Sequence, residues 1–322
     1  MRTLLILFLS FILFELEAQQ WVQFSQQASY GTYLNPAYSG FASNLNVTLA
    51  HRSQYVGLGT KSIGTQYASF SSPFLSSKFG LGVRLINDFI GLQRYTNIDL
   101  DAAYHVLNKE HKLSFGLNIG FVQFGLRGDQ LTAPDGIYLP GLVVHNDQVL
   151  PNVASAGLAP TFSFGAVYAF RKWEAGIAIQ NLNSPKINLS NTSDGTIIFL
   201  SRTINIHSAY VINLNNTKIK PSFFCKTDLN KWQAQINLQV DWRKIFAGLG
   251  YRGYNGLNND AVIAIFGITL KERVKVAYSY DYNVSYLGNS NTGSHEISLK
   301  FDLPKSFTKN LKSNIIFNPR NL

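Results

Sequence analysis

The chain has 322 residues, a formal charge of +10 and one cysteine; charged residues make up only 14% and aromatics 13%. Soluble domains usually carry about a quarter charged residues, so this composition argues against an ordinary water-facing surface. A single cysteine excludes an internal disulfide. The basic residues do not cluster with aromatics on one motif, which argues against nucleic acid as a partner.

In chain order, residues 1–18 read as a secretory signal. Arg2 is a short basic region, Leu4 to Phe14 is apolar apart from Ser10, and Ala18 suits cleavage, giving a mature start near Gln19. Glu15 and Glu17 are unusual so close to that site. No cysteine follows for a lipid anchor. Beyond Gln19 there is no run of eighteen apolar residues, so helical membrane spans are not expected. Residues 19–42 form an N-terminal segment, periplasmic or plugging a lumen. Within it Asn35-Pro36 predicts a turn, because Pro36 fixes its own φ and biases Asn35 away from helix.

From residue 43 the pattern changes to strict alternation. Trp232 to Val240 and His295 to Asp302 alternate apolar and polar residues, which gives strands one apolar and one polar face. Fourteen strands are predicted: 43–52, 62–72, 79–88, 95–105, 112–124, 161–171, 173–182, 202–214, 218–226, 232–241, 244–252, 261–270, 273–282 and 294–302. A soluble sandwich would turn the polar faces outward; an outer-membrane barrel turns the apolar faces to lipid. The connections decide for the barrel. If residue 43 starts upward from the periplasm, the lower turns (73–78, 106–111, 171–173, 215–217, 242–243, 271–272) are all short. Every long connection falls on the upper side (53–61, 89–94, 125–160, 183–201, 227–231, 253–260, 283–293). The expected fold class is therefore all-β: a transmembrane barrel of about 14 antiparallel strands over 43–303, followed by a basic periplasmic tail, 304–322. Both chain ends would be periplasmic.

Charge follows the same division. Arg171, Lys172, Arg243, Lys244, Lys271 and Arg273 lie at or beside lower turns, and Lys305, Lys309, Lys312 and Arg320 lie in the tail. Asp129, Asp135, Asp147, Asp194 and Asp260 fall in the upper loops. Charges sit wherever lipid does not; a sharper expectation is that Arg171, Lys172, Arg243 and Lys244 dock an acidic partner or phospholipid headgroups. Trp173, Trp232 and Trp242 fall at strand ends, where an interfacial girdle would place them. In the loop 125–160, the apolar stretch Leu139 to Val144 would fold into the lumen or meet a partner.

Catalytic and metal signatures are missing. Gly248 to Gly253 matches a dinucleotide-binding spacing, but loop formers follow where a helix is required. Asp99, Asp101 and His105 share one strand face and read as lumen residues balanced by basic neighbours. Cys225, beside Phe223 and Phe224, reads as a bystander in a strand. No catalytic residue, cofactor or metal ligand is expected.

Two groups of residues go beyond general barrel features. Gln23-Phe24-Ser25-Gln26 and Tyr33-Leu34-Asn35-Pro36-Ala37-Tyr38-Ser39-Gly40 precede the first strand, and His51-Arg52-Ser53-Gln54-Tyr55-Val56-Gly57 ends it. Gly80-Leu81-Gly82-Val83, Ile86-Asn87-Asp88, Tyr278-Ser279-Tyr280-Asp281 and Gly293-Ser294-His295-Glu296-Ile297 follow in order. Together they make the chain resemble the PorP/SprF family of Bacteroidetes outer-membrane proteins over nearly its whole mature length. The resemblance implies a non-enzymatic barrel of the type IX secretion and gliding machinery. Its partners would be other secretion components, outer-membrane lipid, and a large surface adhesin with a C-terminal sorting domain. The competing reading is a passive transport barrel, porin-like or conducting hydrophobes. The residues carrying the motif are Asn35, Pro36, Tyr38, Gly40, Arg52, Gln54, Asn87, Asp88, Asp281 and Glu296. Arg52 and Gln54 would anchor the end of the first strand, and Asp281 and Glu296 would offset Arg84 and Arg94 in the lumen.

Overall fold

The computed structural model describes residues 22–42, 44–57, 63–74, 78–147, 150–189, 197–255, 258–285 and 291–303. The expected signal at 1–18, Asp194 and the expected basic tail 304–322 lie outside them. After a short N-terminal segment come β1 (Leu45–Gln54), β2 (Ile63–Phe74), β3 (Phe79–Ile90), β4 (Gln93–Asn108) and β5 (His111–Arg127). The short β6 (Ile137–Leu139) and β7 (Leu142–Val144) are followed by β8 (Ala154–Phe170) and β9 (Trp173–Gln180). Then come the short β10 (Lys186–Asn188) and β11 (Ile197–Phe199), and β12 (Thr203–Tyr210), continued by β13 (Ile212–Leu214). The chain finishes with β14 (Thr217–Thr227), β15 (Trp232–Trp242), β16 (Ile245–Tyr254), β17 (Asn258–Leu270), β18 (Val274–Asn283) and β19 (Ser294–Leu303).

Fourteen of these strands form one closed antiparallel barrel. Neighbours in sequence pair with each other, and the seam closes where β1 pairs with β19, with Leu45 opposite Leu303 and Arg52 opposite Glu296. Closure satisfies every strand edge, which a sheet in lipid requires. The alternation read from sequence becomes sidedness. Along β4, Asn97, Asp99, Asp101, Ala103 and His105 are buried, while Ile98, Leu100, Tyr104 and Val106 are exposed. The protein is thus apolar outside and polar inside, the reverse of a soluble domain.

One end of the barrel carries only tight connections. Several use a left-handed residue in the turn, as at Lys109 (φ +35°), Arg171 (φ +52°), Asn215 (φ +44°) and Arg243 (φ +53°), a backbone that suits the twist of paired strands. The opposite end carries the long loops. The two strands that flank the longest loop extend further toward it than the sequence pattern predicted: β5 runs to Arg127 and β8 starts at Ala154, so the expected loop 125–160 shortens to 128–153. Within that loop β6 and β7 form a hairpin, and Leu139 and Leu142 on it are exposed rather than folded into the lumen. The second long loop turns inward instead: Ile187 and Leu200 are buried against Val122 and Ala159. Asp260, expected in an exposed loop, is buried in β17. Trp173, Trp232 and Trp242 occupy strand ends and are exposed.

Candidate functional site: the lumen plug and its ion network

Residues 22–42 lie inside the barrel. Gln23 bonds the Tyr254 hydroxyl (2.7 Å) and Gln54 (3.2 Å), both at the long-loop ends of their strands. Gly40, with φ +66°, donates to Ser71 (2.8 Å) near the short-turn end. The segment therefore runs along the lumen from the long-loop half to the base of β1. It holds a single helical turn, α1 (Gly31–Leu34), and two 3₁₀ turns, Gln27–Ser29 and Pro36–Tyr38. Asn35 caps the second of these by accepting from the Ala37 N–H at 2.9 Å.

The wall is shaped for this segment. Gly80, Ala103, Gly116, Gly165 and Ala178 lie opposite one another on β3, β4, β5, β8 and β9, forming a row of small residues straight across five strands. Ser39 packs on Gly80, the Pro36–Ala37 peptide on Gly116 and the Asn35 amide on Gly165; a Cβ at any of the three glycines would collide with the plug. Beside Gly165, the Asn35 amide donates to the carbonyls of Ala166 (3.0 Å) and Ile177 (2.9 Å), a cross-strand pair. Ser114 donates to the Ala37 carbonyl (2.6 Å) and bonds His105 Nδ1 (2.8 Å), and the Tyr38 hydroxyl donates to Glu174 (3.1 Å). Higher up, Phe24, Tyr30, Tyr33 and Tyr67 form an aromatic cluster with centroids 5.0–6.2 Å apart.

In the long-loop half of the lumen is a buried ion network. Arg52 and Arg252 each donate to Asp281 at 2.7 Å; Arg252 also meets Asp260 at 2.5 Å, and Arg52 meets Glu296 at 3.4 Å. The plug is bonded into it. The Ser25 hydroxyl donates to Asp281 (2.6 Å), and the Ser25 and Gln26 N–H groups donate to Glu296 (2.7 and 3.1 Å). The Tyr30 hydroxyl adds a fourth bond to the network at 2.8 Å from Glu296. Burial, and then the adjacent Glu296 charge, raise the Tyr30 pKa well above its ordinary value, so the phenol remains a donor. Charges buried this deeply persist when they are paired with one another, as the two arginines and three acids are here.

The structure thus brings Arg52, Asp281 and Glu296 together, joins Asn35, Pro36 and Tyr38 to the opposite wall on β5, β8 and β9, and joins Gly40 to β2. The expected offset of Asp281 and Glu296 against Arg84 and Arg94 is corrected. Arg84 pairs with Asp99 (2.5 Å) and also donates to the Thr32 carbonyl of the plug, whereas Arg94 donates to Asn87 (2.9 Å). Asp88 accepts from Thr65 (2.5 Å), apart from the network. Asp99, Asp101 and His105 do not form a site: Asp101 accepts from Asn118 (2.7 Å). Arg171, Lys172, Arg243 and Lys244 are exposed in the β8–β9 and β15–β16 turns, with the turn before β14 between them. Sequence reasoning missed Ser25, Arg252 and Asp260. Arg252 shares the inward face of β16 with Gly248 and Gly250, and an arginine inside a membrane-spanning strand demands an acid partner.

Above the plug, a cavity of about 520 Å³ is lined by Val22, Tyr33, Tyr95, Phe124, Leu200 and Lys226 among others. Val22 and Tyr33 are the plug's contribution to its lining.

The profile of the family described as "Type IX secretion system membrane protein PorP/SprF" matches residues 16–301. The chain belongs to the PorP/SprF family. Family and fold indicate a membrane barrel. No curated protein matches the chain. Among solved structures it is similar to the CymD monoaromatic hydrocarbon channel (11% identity, 85% of this chain and 92% of that one, TM-score 0.49). It is also similar to Omp33 of Acinetobacter baumannii (9% identity, 82% and 100%, TM-score 0.46). A third is the toluene transporter TodX of Pseudomonas putida (7% identity, 84% and 91%, TM-score 0.45).

Proposed function

We propose that this PorP/SprF barrel is a closed, protein-holding component of the type IX machinery. It supports secretion or surface anchoring of a large adhesin with a C-terminal sorting domain and does not pass solute. The observation that carries this reading is the lumen itself, filled by residues 22–42 and tied by Ser25 and Tyr30 to a solvent-free ion network. An open pore has no use for such a lock. We place the short-turn end in the periplasm. Arg171, Lys172, Arg243 and Lys244 then face periplasmic secretion components, and the exposed apolar hairpin β6–β7 faces the adhesin outside. The lipid-facing band rests in the outer membrane.

The transport reading draws on the cavity of about 520 Å³ in the long-loop half. The plug bars its way to the other end, so conduction would require displacement of residues 22–42. A tagged pull-down from mildly solubilised outer membranes, with bilayer conductance on the same preparation, tests the proposal. Recovery of type IX components or of a protein with a C-terminal sorting domain, with no steady conductance, is the expected result. A barrel recovered alone and conducting steadily would overturn it.

A further inference from the structure

The outward face of the wall changes character near the long-loop end. Straight across β1 to β5, Leu49, Ala68, Leu85, Ile98 and Phe121 stand in one apolar row. Two residues nearer the long loops on each strand, the row becomes His51, Gln66, Asn87, Thr96 and Gln123, all polar. These positions alternate with the buried inward set, which includes Arg52, Asp88, Asn97 and Val122, so they face away from the lumen. The apolar band ends between the two rows, and the polar row lies where lipid headgroups begin.

Above the polar row, Arg94 and Arg127 border a groove of about 720 Å³. The outward positions between them are small: Gly125 stands opposite both Arg94 and Ala156, and Ala154 opposite Arg127. A Cβ at Gly125 would meet only carbonyl oxygens at 3.9 and 4.0 Å, so the space over it is open. Asn87, only 9% exposed, orders the floor. It accepts from Arg94 Nε (2.9 Å) and the Thr96 hydroxyl (3.1 Å), and donates to Gln66 (3.0 Å).

No carboxylate lines this groove. Among the described residues Arg94 takes part in no ion pair, and its bond to Asn87 leaves both terminal nitrogens able to meet an acceptor. Arg127 is paired with Asp129 (2.9 Å), which lies outside the lining; both are exposed, and a pair of this kind holds weakly. Three chemistries thus meet at one height. A guanidinium with free nitrogens matches phosphate oxygens. The amides and hydroxyl of Gln66, Gln123 and Thr96 match sugar hydroxyls, which both donate and accept. The apolar row beneath matches acyl chains. We infer that this groove holds a phosphorylated glycolipid of the outer leaflet, with its phosphate on Arg94 and its acyl chains along Leu85, Ile98 and Phe121. Asn87 is then a positioning residue for Arg94. The choice of leaflet rests on the periplasmic placement of the short turns; the lipid site is otherwise independent of the protein-holding role.

The test uses the purified full-length barrel, freed of lipid in detergent, with bound lipid counted by native mass spectrometry. It is titrated with monophosphoryl lipid A, with the same glycolipid after phosphatase treatment, and with phosphatidylglycerol. Wild type is expected to bind the first at least about tenfold more tightly than the other two. R94Q is expected to lose about tenfold in affinity. G125W, whose side chain starts in open space and fills the groove, is expected to lose binding with its strands still paired. R202Q, an exposed arginine at the same end but outside the groove, should bind as wild type does. Heat-modifiable migration shows that each variant is folded. Equal binding of the three lipids, or undiminished binding in R94Q and G125W, would overturn the inference. A photo-crosslinking residue at Gln123 in living cells is expected to capture lipid; capture of a protein in its place would assign this face to a lateral partner and overturn it. An epitope inserted in the loop 128–153 should be reached by antibody on intact cells. An epitope hidden there would overturn the leaflet, whatever the purified barrel binds.

Discussion

Arg52 and Asp281 stand 229 positions apart in the chain and 2.7 Å apart in the barrel, both wholly buried. Asp281 also receives Arg252 and the Ser25 hydroxyl, so one carboxylate holds two strands and the plug. D281N leaves two guanidiniums facing a neutral amide in a site that water does not reach. Breaking a buried pair in this way costs about 3–5 kcal/mol, and the Tm in detergent should fall by on the order of 10 °C. A variant that melts with wild type would show that the network does not stabilise the plugged barrel.

The wall glycines allow the plug to be disturbed without touching a charge. In G116L the side chain would fill the space of the Pro36–Ala37 peptide, an overpacking worth about 1–3 kcal/mol. The strands remain paired, so the barrel should still insert. The plug should loosen, seen as intermittent conductance in bilayers and faster protease cleavage within residues 22–42. A barrel that remains silent and protease-resistant would mean that the small-residue row does not seat the plug.

How much of this could be read beforehand differs by region. Where strands cross lipid, the alternation is enforced on both faces, and all fourteen were legible. Above that band the rule lapses. Residues such as Ser155, Gly157 and Pro160 carry no alternation, yet they continue β8 because β5 rises beside them from Phe121 to Arg127. The three-residue strands of β6–β7 and β10–β11 are too short to show a period. Arg52, Asp281 and Glu296 were marked by the family resemblance, but their pairing was not, because strand register does not identify which groups meet across a lumen. The plug has no periodicity at all; its path is set by contacts with residues up to 272 positions away, as between Gln26 and Ser298.

The exposed hairpin gives a test of the outer surface. L139S with L142S changes two exposed apolar side chains and leaves the buried His145 bond to the Gly128 carbonyl (3.0 Å) in place. Exposed substitutions of this kind cost within about 0.5 kcal/mol, so barrel assembly should be normal. Adhesin retained at the cell surface, measured by antibody on intact cells, should fall several-fold. Unchanged retention would remove the hairpin as a partner surface.

At the other end, reversing Arg171, Lys172, Arg243 and Lys244 to glutamate should leave heat-modifiable migration unchanged, since all four are exposed. Arg171 loses one surface pair with Glu110 (2.8 Å), worth about 0–1 kcal/mol. Recovery of secretion components in the pull-down should drop, and more steeply at low salt. Equal recovery from both proteins at every salt concentration would discard these turns as docking points.

The seam between β1 and β19 sets Arg52 directly opposite Glu296. A slip of one residue at closure would turn Glu296 toward lipid, and a slip of two would strand Arg52 opposite a residue that cannot answer its charge. Only one register allows the last strand to meet the first and also lets the Ser25 and Gln26 amides find their acceptor. The chain carries its own proof-mark: an arginine inscribed on the first strand and an acid on the last, legible only when the ring has been joined correctly around its own beginning.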